Sequence, residues 1–239
     1  MVQSLSLFID ITNIKLQSMK TKTTGYIMLF MLLIQTSFAQ NNELNTNPEN
    51  TIAIHLDNVA FDETDYMKVL DSDNNTIAYY DRFDNKSAAV KSVKLYNSSK
   101  ELVYVLVPLI TDQGYEIHIK NENGQRGFID LTGRIKGLKA VYESQVDYFQ
   151  EPYSFQFSTK MGIGKVSAKQ AVSYLDKEVM TYETKVAGFS KVKTTPFLVD
   201  KTFFKDHQMD VANWVLVIQL IKELSLETTR INNGYRPSN

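Results

Sequence analysis

From Thr51 onward, apolar and polar residues alternate along the chain with a period of two. Ile52, Ile54 and Leu56 alternate with Thr51, Ala53 and His55, and Tyr115, Ile117 and Ile119 with Glu116, His118 and Lys120. Tyr153, Phe155 and Phe157 alternate with Ser154, Gln156 and Ser158 in the same way. A strand turns successive side chains to opposite faces, so this pattern predicts strands with one face on a core and one in water. Further strands are predicted at Tyr66 to Leu70, Thr76 to Phe83, Val90 to Tyr96, Leu102 to Val107, Gly127 to Leu131, Ile135 to Tyr142, Val179 to Ala187 and Phe197 to Phe203. Turn residues separate them at Asp73-Asn74-Asn75, Asn97-Ser98-Ser99, Asn123-Gly124 and Thr132-Gly133. Many short strands with regular turns predict a sandwich or barrel joined by hairpins. Lys165 to Asp176 is ambiguous, because Ala168, Ala171, Val172 and Leu175 also fit a weak helical face.

The pattern changes at Asp206 to Leu224, DHQMDVANWVLVIQLIKEL. Asp206 or Asp210 is placed to cap a helix start, and Lys222 lies favourably near its end. From Val211 to Ile221 only Asn213 and Gln219 interrupt the apolar residues. At 100° per residue these positions cover nearly the whole circumference, and a helix apolar all round must be buried on all sides. The segment is too short and interrupted to cross a bilayer comfortably. The predicted container is therefore the sheet itself, giving a barrel with the helix threaded through its middle. The alternative for the same residues is a buried strand followed by a short amphipathic helix. Ser225 to Ile231 alternates again and predicts a last strand.

Upstream lies an address. In Met19 to Gln40, MKTKTTGYIMLFMLLIQTSFAQ, Lys20 and Lys22 precede an apolar run from Tyr26 to Ile34, and Ser37-Phe38-Ala39 offers a small-x-small cleavage signal. The apolar run is shorter than the roughly 20 residues of a membrane span, so a cleaved secretory signal is expected at residues 19–39. A membrane anchor or a first helix of the fold is the competing reading. Residues 1–18 are then an extension ahead of the true start, 40–50 a polar, flexible leader, 51–231 one β-rich domain and 232–239 a tail. Without Lys15, Lys20, Lys22 and Asp10, the formal charge goes from −1 for the chain to −3 for the remainder. That balance does not call for nucleic acid, which favours a basic excess. The chain has no cysteine, which excludes a disulfide framework and leaves a hydrophobic core to hold the domain. Export to a Gram-negative periplasm, or beyond the cell, is the expected localisation. In a eukaryotic route, Asn74-Asn75-Thr76, Asn85-Lys86-Ser87 and Asn97-Ser98-Ser99 would be glycan acceptors.

The strand–turn–strand units NSSKELVYVLV (Asn97 to Val107) and NENGQRGFIDLTGRI (Asn121 to Ile135) carry a resemblance to a known family, as does PFLVDKTFFKDHQMDVANWVLVIQLIKEL (Pro196 to Leu224). The chain resembles the tubby-like superfamily, in particular its LURP-one-related and phospholipid-scramblase branch, over most of Thr51 to Ile231. The resemblance implies a closed antiparallel β-barrel of about twelve strands around a central hydrophobic C-terminal helix. Its functions transfer poorly. Tubby domains bind phosphoinositide headgroups through a basic pocket and scramblases are calcium-linked membrane proteins, whereas this chain reads as exported and without a cysteine-rich acylation segment or a downstream membrane tail.

Motifs for chemistry are sparse. Asp71-Ser72-Asp73-Asn74-Asn75 opens like an EF-hand loop, but that loop needs Gly at its sixth position and Glu at its twelfth, where Thr76 and Arg82 stand. A hairpin turn is expected there. His55, His118 and His207 have no zinc spacing; the first two fall on polar strand phases and the third lies near the helix start. Gly162-Ile163-Gly164-Lys165 lacks phosphate-loop spacing and reads as a bend or bulge. No G-x-S-x-G elbow occurs. Tyr142, Tyr148, Phe149 and Tyr153 fall within Val141 to Phe155, expected to be partly a loop ended by Pro152, and form the candidate partner-binding residues. Their competing role is to cover a barrel end. Lys185, Lys191 and Lys193 form a modest basic strip. The expectation is an exported, non-enzymatic binding or structural domain, with no cofactor or metal, meeting a protein, glycan or lipid surface through its loops. The alternatives are a membrane-associated, lipid-interacting protein and a hydrolase with acidic residues from separate strands.

Overall fold

The computed structural model describes residues 43–57, 66–136, 139–162, 165–187, 191–194 and 196–232. The signal segment, the extension ahead of it and Ile163-Gly164 lie outside these residues. Thirteen strands run in chain order: β1 (Thr51–Asp57), β2 (Met67–Leu70), β3 (Thr76–Phe83), β4 (Ser92–Tyr96), β5 (Leu102–Thr111), β6 (Gly114–Asn121), β7 (Arg126–Lys136), β8 (Lys139–Asp147), β9 (Tyr153–Gly162), β10 (Lys165–Tyr174), β11 (Lys177–Ala187), β12 (Lys191–Thr194) and β13 (Phe197–Asp200). Two helices follow, α1 (Lys201–Asp206) and α2 (Gln208–Asn232).

Each strand from β1 to β11 pairs antiparallel with the next, and β13 pairs with both β11 and β1 to close the ring. β12 and β13 share one edge of β11, Lys185 opposite Lys193 and Met180 opposite Val199, with Pro196 between the two strands. They act as one interrupted stave, so the barrel has twelve staves. Eight strands enclose just enough space for their own side chains, and the interior widens with strand number. A twelve-stave ring therefore leaves room for a filling, and a helix is about 10 Å across. Val211 to Ile218, Leu220, Ile221 and Leu224 of α2 are all essentially without solvent exposure. Eight consecutive buried residues cover every side of a helix. They form one core with inward strand residues such as Ile54, Val69, Tyr80, Leu106, Ile129 and Phe155.

Three hairpins repeat one five-residue turn: Asp71–Asn75, Asn97–Glu101 and Asn121–Gln125. In each, the first residue's N–H donates to the carbonyl of the fifth, and the fourth residue's N–H to the carbonyl of the first. The first side chain's Oδ1 accepts the N–H of the fifth. The fourth position is left-handed, with φ of 62° at Asn74 and Lys100 and 78° at Gly124. The EF-hand-like string is thus a hairpin turn. Burial raises the pKa of the Asp71 carboxyl, but hydrogen bonds from Asn75 and Asp73 outweigh that and hold it below the usual range.

Several expectations are corrected. Lys165 to Tyr174 is a strand, pairing with β9 and β11 along its length; polar Gln170 on its buried phase blurred the alternation. Thr132-Gly133 lies within β7, not at a turn. Gly133 is small because Tyr142, its cross-strand partner, lies over it, and an added Cβ would meet that ring at 2.9 Å. Ser225 to Ile231 continues α2 and is not a strand, since Ser225 and Thr228 return their hydroxyls to the carbonyls of Ile221 and Leu224. The strand predicted to Phe203 ends at Asp200, whose carboxylate caps α1 by accepting from the N–H groups of Thr202 and Phe203. Neither Asp206 nor Asp210 caps: α2 starts at Gln208, and Asp210 lies in its first turn. In the leader, Lys201 Nζ donates to the carbonyls of Pro48 and Glu49, which ties that segment to the start of α1.

Candidate functional site

A cluster of polar side chains lies where α2 enters the barrel. Asp210 accepts hydrogen bonds from Tyr104 Oη (3.2 Å) and Tyr148 Oη (3.1 Å) on Oδ1. On Oδ2 it meets Tyr153 Oη at 3.1 Å and His207 Nδ1 at 3.2 Å. Asn213, one helical turn further, donates to Tyr148 Oη at 2.9 Å. Trp214 stacks on Tyr148 and Phe155, and His207 on Phe203. Burial, then the charge of Asp210, pushes the Tyr104 phenol up to about 12 and raises those of Tyr148 and Tyr153. Four donors occupy the acceptor sites of one carboxylate. The phenols are held in their neutral form, as hydrogen-bond donors. The cluster thus holds no phenolate to act as nucleophile, while Asn213 Oδ1 and Trp214 Nε1 within it are buried without a hydrogen-bond partner among the described residues. Its effect is to fix the depth and rotation of α2. At the far end of the buried stretch of α2, Arg82 grips Glu223 with two bonds of 2.6 and 2.7 Å, a second pin between wall and filling.

The four aromatic candidates separate in space. Tyr148 and Tyr153 are buried in the Asp210 cluster. Phe149, half-buried with φ of 57° in the β8–β9 turn, stacks on Tyr104. Tyr142 lies about 20 Å along β8 from Tyr148, where it stacks on Phe157 at 4.5 Å. β8 itself extends to Asp147, so only Tyr148 to Pro152 form the loop. His55 and His118 are exposed, as their strand phase predicts.

Space and unpaired charge lie elsewhere, on the outer wall. A groove of about 340 Å3 has Val105, Val107 and Leu109 of β5 as its floor, with His118, Lys120 and Arg126 along one side. Asn85 and Ser87, from the β3–β4 connection, form its other side. Asn85 Oδ1 accepts from Ser87 N–H and Oγ, and Ala89 N–H donates to the carbonyl of Pro108, which ties this connection down on β5. Pro108 lies just past the last β4–β5 pairs, where its missing N–H leaves no ladder bond unmade.

The hairpin at Asn121–Gln125 sets Lys120 directly opposite Arg126. Like charges placed so are destabilising, and neither has an ion pair among the described residues, whereas His118 lies 3.0 Å from Glu116. The sequence reading missed this groove. Its signal is Leu102 to Ile110, LVYVLVPLI, apolar on both strand phases. One phase lines the core and the other has no core to line.

Among the described residues, no group of three His, Asp or Glu could hold a metal ion. No described helix is long and apolar enough to cross a membrane. The chain matches no family model, and no curated protein or solved structure shows a significant match to it.

Proposed function

We propose that this chain is an exported, non-enzymatic binding domain whose barrel is a scaffold and whose partner is met on the outer wall. The observation that carries the reading is the division between inside and outside. The interior is occupied by α2, and the Asp210 carboxylate at its entry is bonded by the surrounding phenols. The groove over β5–β7 offers accessible apolar floor beside two cations without carboxylate partners among the described residues. The address at Met19 to Gln40 supports export. Kinship with the tubby-like superfamily belongs to the same reading, supported by a helix enclosed in a twelve-stave barrel. The wall replaces the candidate set Tyr142, Tyr148, Phe149 and Tyr153 as the proposed contact face, because Tyr148 and Tyr153 are turned inward.

The test places a photo-crosslinking side chain at Val107 in the groove, or at Gln156, exposed on the outside of β9, in the chain expressed with its natural N-terminus. The expected outcome is an envelope adduct from position 107 and none from 156, on a protein whose N-terminal residue is Gln40. Adducts from neither position, or a protein retained in the cytoplasm with Met19 intact, would contradict the proposal.

A further inference from the structure

The groove's chemistry narrows its ligand, granted the reading that the outer wall is the binding face. We infer that it takes a free single-chain fatty acid, the carboxylate between Lys120 and Arg126 and the hydrocarbon along Val105, Val107 and Leu109. Three observations converge on this class. The floor is a continuous run of branched aliphatic side chains from one strand phase, half-buried and covered by no other described element. Such a surface favours a hydrocarbon over a sugar, since burying it gains about 25 cal/mol per Å2 of apolar area.

The cationic pair is the second observation. Lys120 and Arg126 face each other across a ladder with no acid between them, so each raises the other's cost until an anion arrives. A carboxylate set between them accepts from both, and charge-assisted bonds of this kind are the stronger ones. The third is size. At about 340 Å3 the groove lies at the small end of ligand sites, which suits one short chain and is too small for the two chains of a phospholipid. The anchored β3–β4 connection makes the floor a groove instead of an open sheet face, so the ligand is one molecule lying in it and not a bilayer plane.

The experiment is calorimetric titration of the protein, purified from the expressing cell, with dodecanoate below its micelle concentration. Parallel titrations use dodecyltrimethylammonium and vesicles of anionic phospholipid. One site for dodecanoate is expected, with no binding of the cationic chain. The paired variant Lys120→Gln/Arg126→Gln, which keeps amide donors but removes both charges, should weaken binding by about a hundredfold, about tenfold for each charge-assisted bond lost. Val107→Asp should abolish binding with an unchanged thermal transition, because its side chain faces away from the core. Absence of dodecanoate binding, equal affinity for the cationic chain, indifference to the paired variant, or binding to vesicles alone would each overturn the inference. So would a dimer in sedimentation that seals the groove. A crosslink from position 107 to a protein, with no dodecanoate bound, would overturn this inference while leaving the outer-wall reading intact.

Discussion

Asp210 shows how one residue determines the placement of a whole helix. Its carboxylate gathers hydroxyls from β5 (Tyr104), from the β8–β9 turn (Tyr148) and from the first residue of β9 (Tyr153), together with the His207 ring just before α2. Lying in the first turn of α2, it also benefits from the positive end of the helix dipole. Asp210→Ala would leave three phenols without their acceptor, and the chemical-denaturation midpoint should fall by the equivalent of about 3 kcal/mol. Asp210→Asn keeps an acceptor oxygen and should cost distinctly less, as measured by the same curve. Of this cluster, the sequence shows the participants but not the meeting. His207 near a helix terminus and the aromatic run Tyr148 to Tyr153 are legible. Their convergence on a residue about 60 positions away depends on barrel closure, which no local pattern encodes.

At the scale of elements, legibility followed the strength of the local signal. β3 and β9 begin where their alternation predicts, and the turns at Asn74, Asn97 and Gly124 are where their residue types put them. Errors arose where one residue type serves two ends. Gly133 reads as a turn but makes space for the Tyr142 ring, and the hydroxyls of Ser225 and Thr228 read as strand polarity but bond back along a helix. Asp200 had no role until the structure showed it as a cap. Its side chain also meets Lys177 at 2.9 Å. Burial raises its pKa, and bonds from Phe203, Lys177 and Thr202 outweigh this and leave it depressed. A depressed carboxyl contributes stability above its unfolded value, and that contribution is lost as pH falls through its folded value. Asp200→Ala should therefore lower the melting temperature at pH 7, and the gap between variant and parent should shrink as the pH is taken below about 4.

The pin at Glu223, further along α2, leads to a complementary prediction. Arg82→Ala strands Glu223 in a half-buried position, whereas Arg82→Met with Glu223→Leu removes both charges and replaces them with apolar surface. The double variant should unfold at a higher denaturant concentration than the single one.

For the whole molecule, the consequence of filling the barrel is that the helix contacts lie on the inner side of the wall and the proposed binding groove on the outer side. The raised phenols of Tyr104, Tyr148 and Tyr153 are all inside. A tyrosine whose folded pKa exceeds its unfolded value favours the fold below about pH 10, and this support is lost as pH climbs toward its folded value. Unfolding free energy, measured across pH 9 to about 12, should thus decline with a slope that Tyr148→Phe makes shallower. The circumferential burial of α2 was the part of the architecture most plainly written in the chain, because a helix apolar on every side has few places to be. The groove was the least legible part. It exists only once the register sets Lys120 against Arg126 and the β3–β4 connection is tied to Pro108.

The chain has no native cysteine, so a single introduced thiol reports on its own surroundings alone. Val217→Cys puts that thiol in the middle of α2 and Val107→Cys puts it in the groove, and reaction with a water-soluble thiol reagent under native conditions compares the two. Prompt labelling is expected at position 107 and none at position 217 until denaturant unfolds the barrel. Rapid labelling of the Val217→Cys variant in its folded state would contradict the enclosed helix, and with it the assignment of binding to the outer wall.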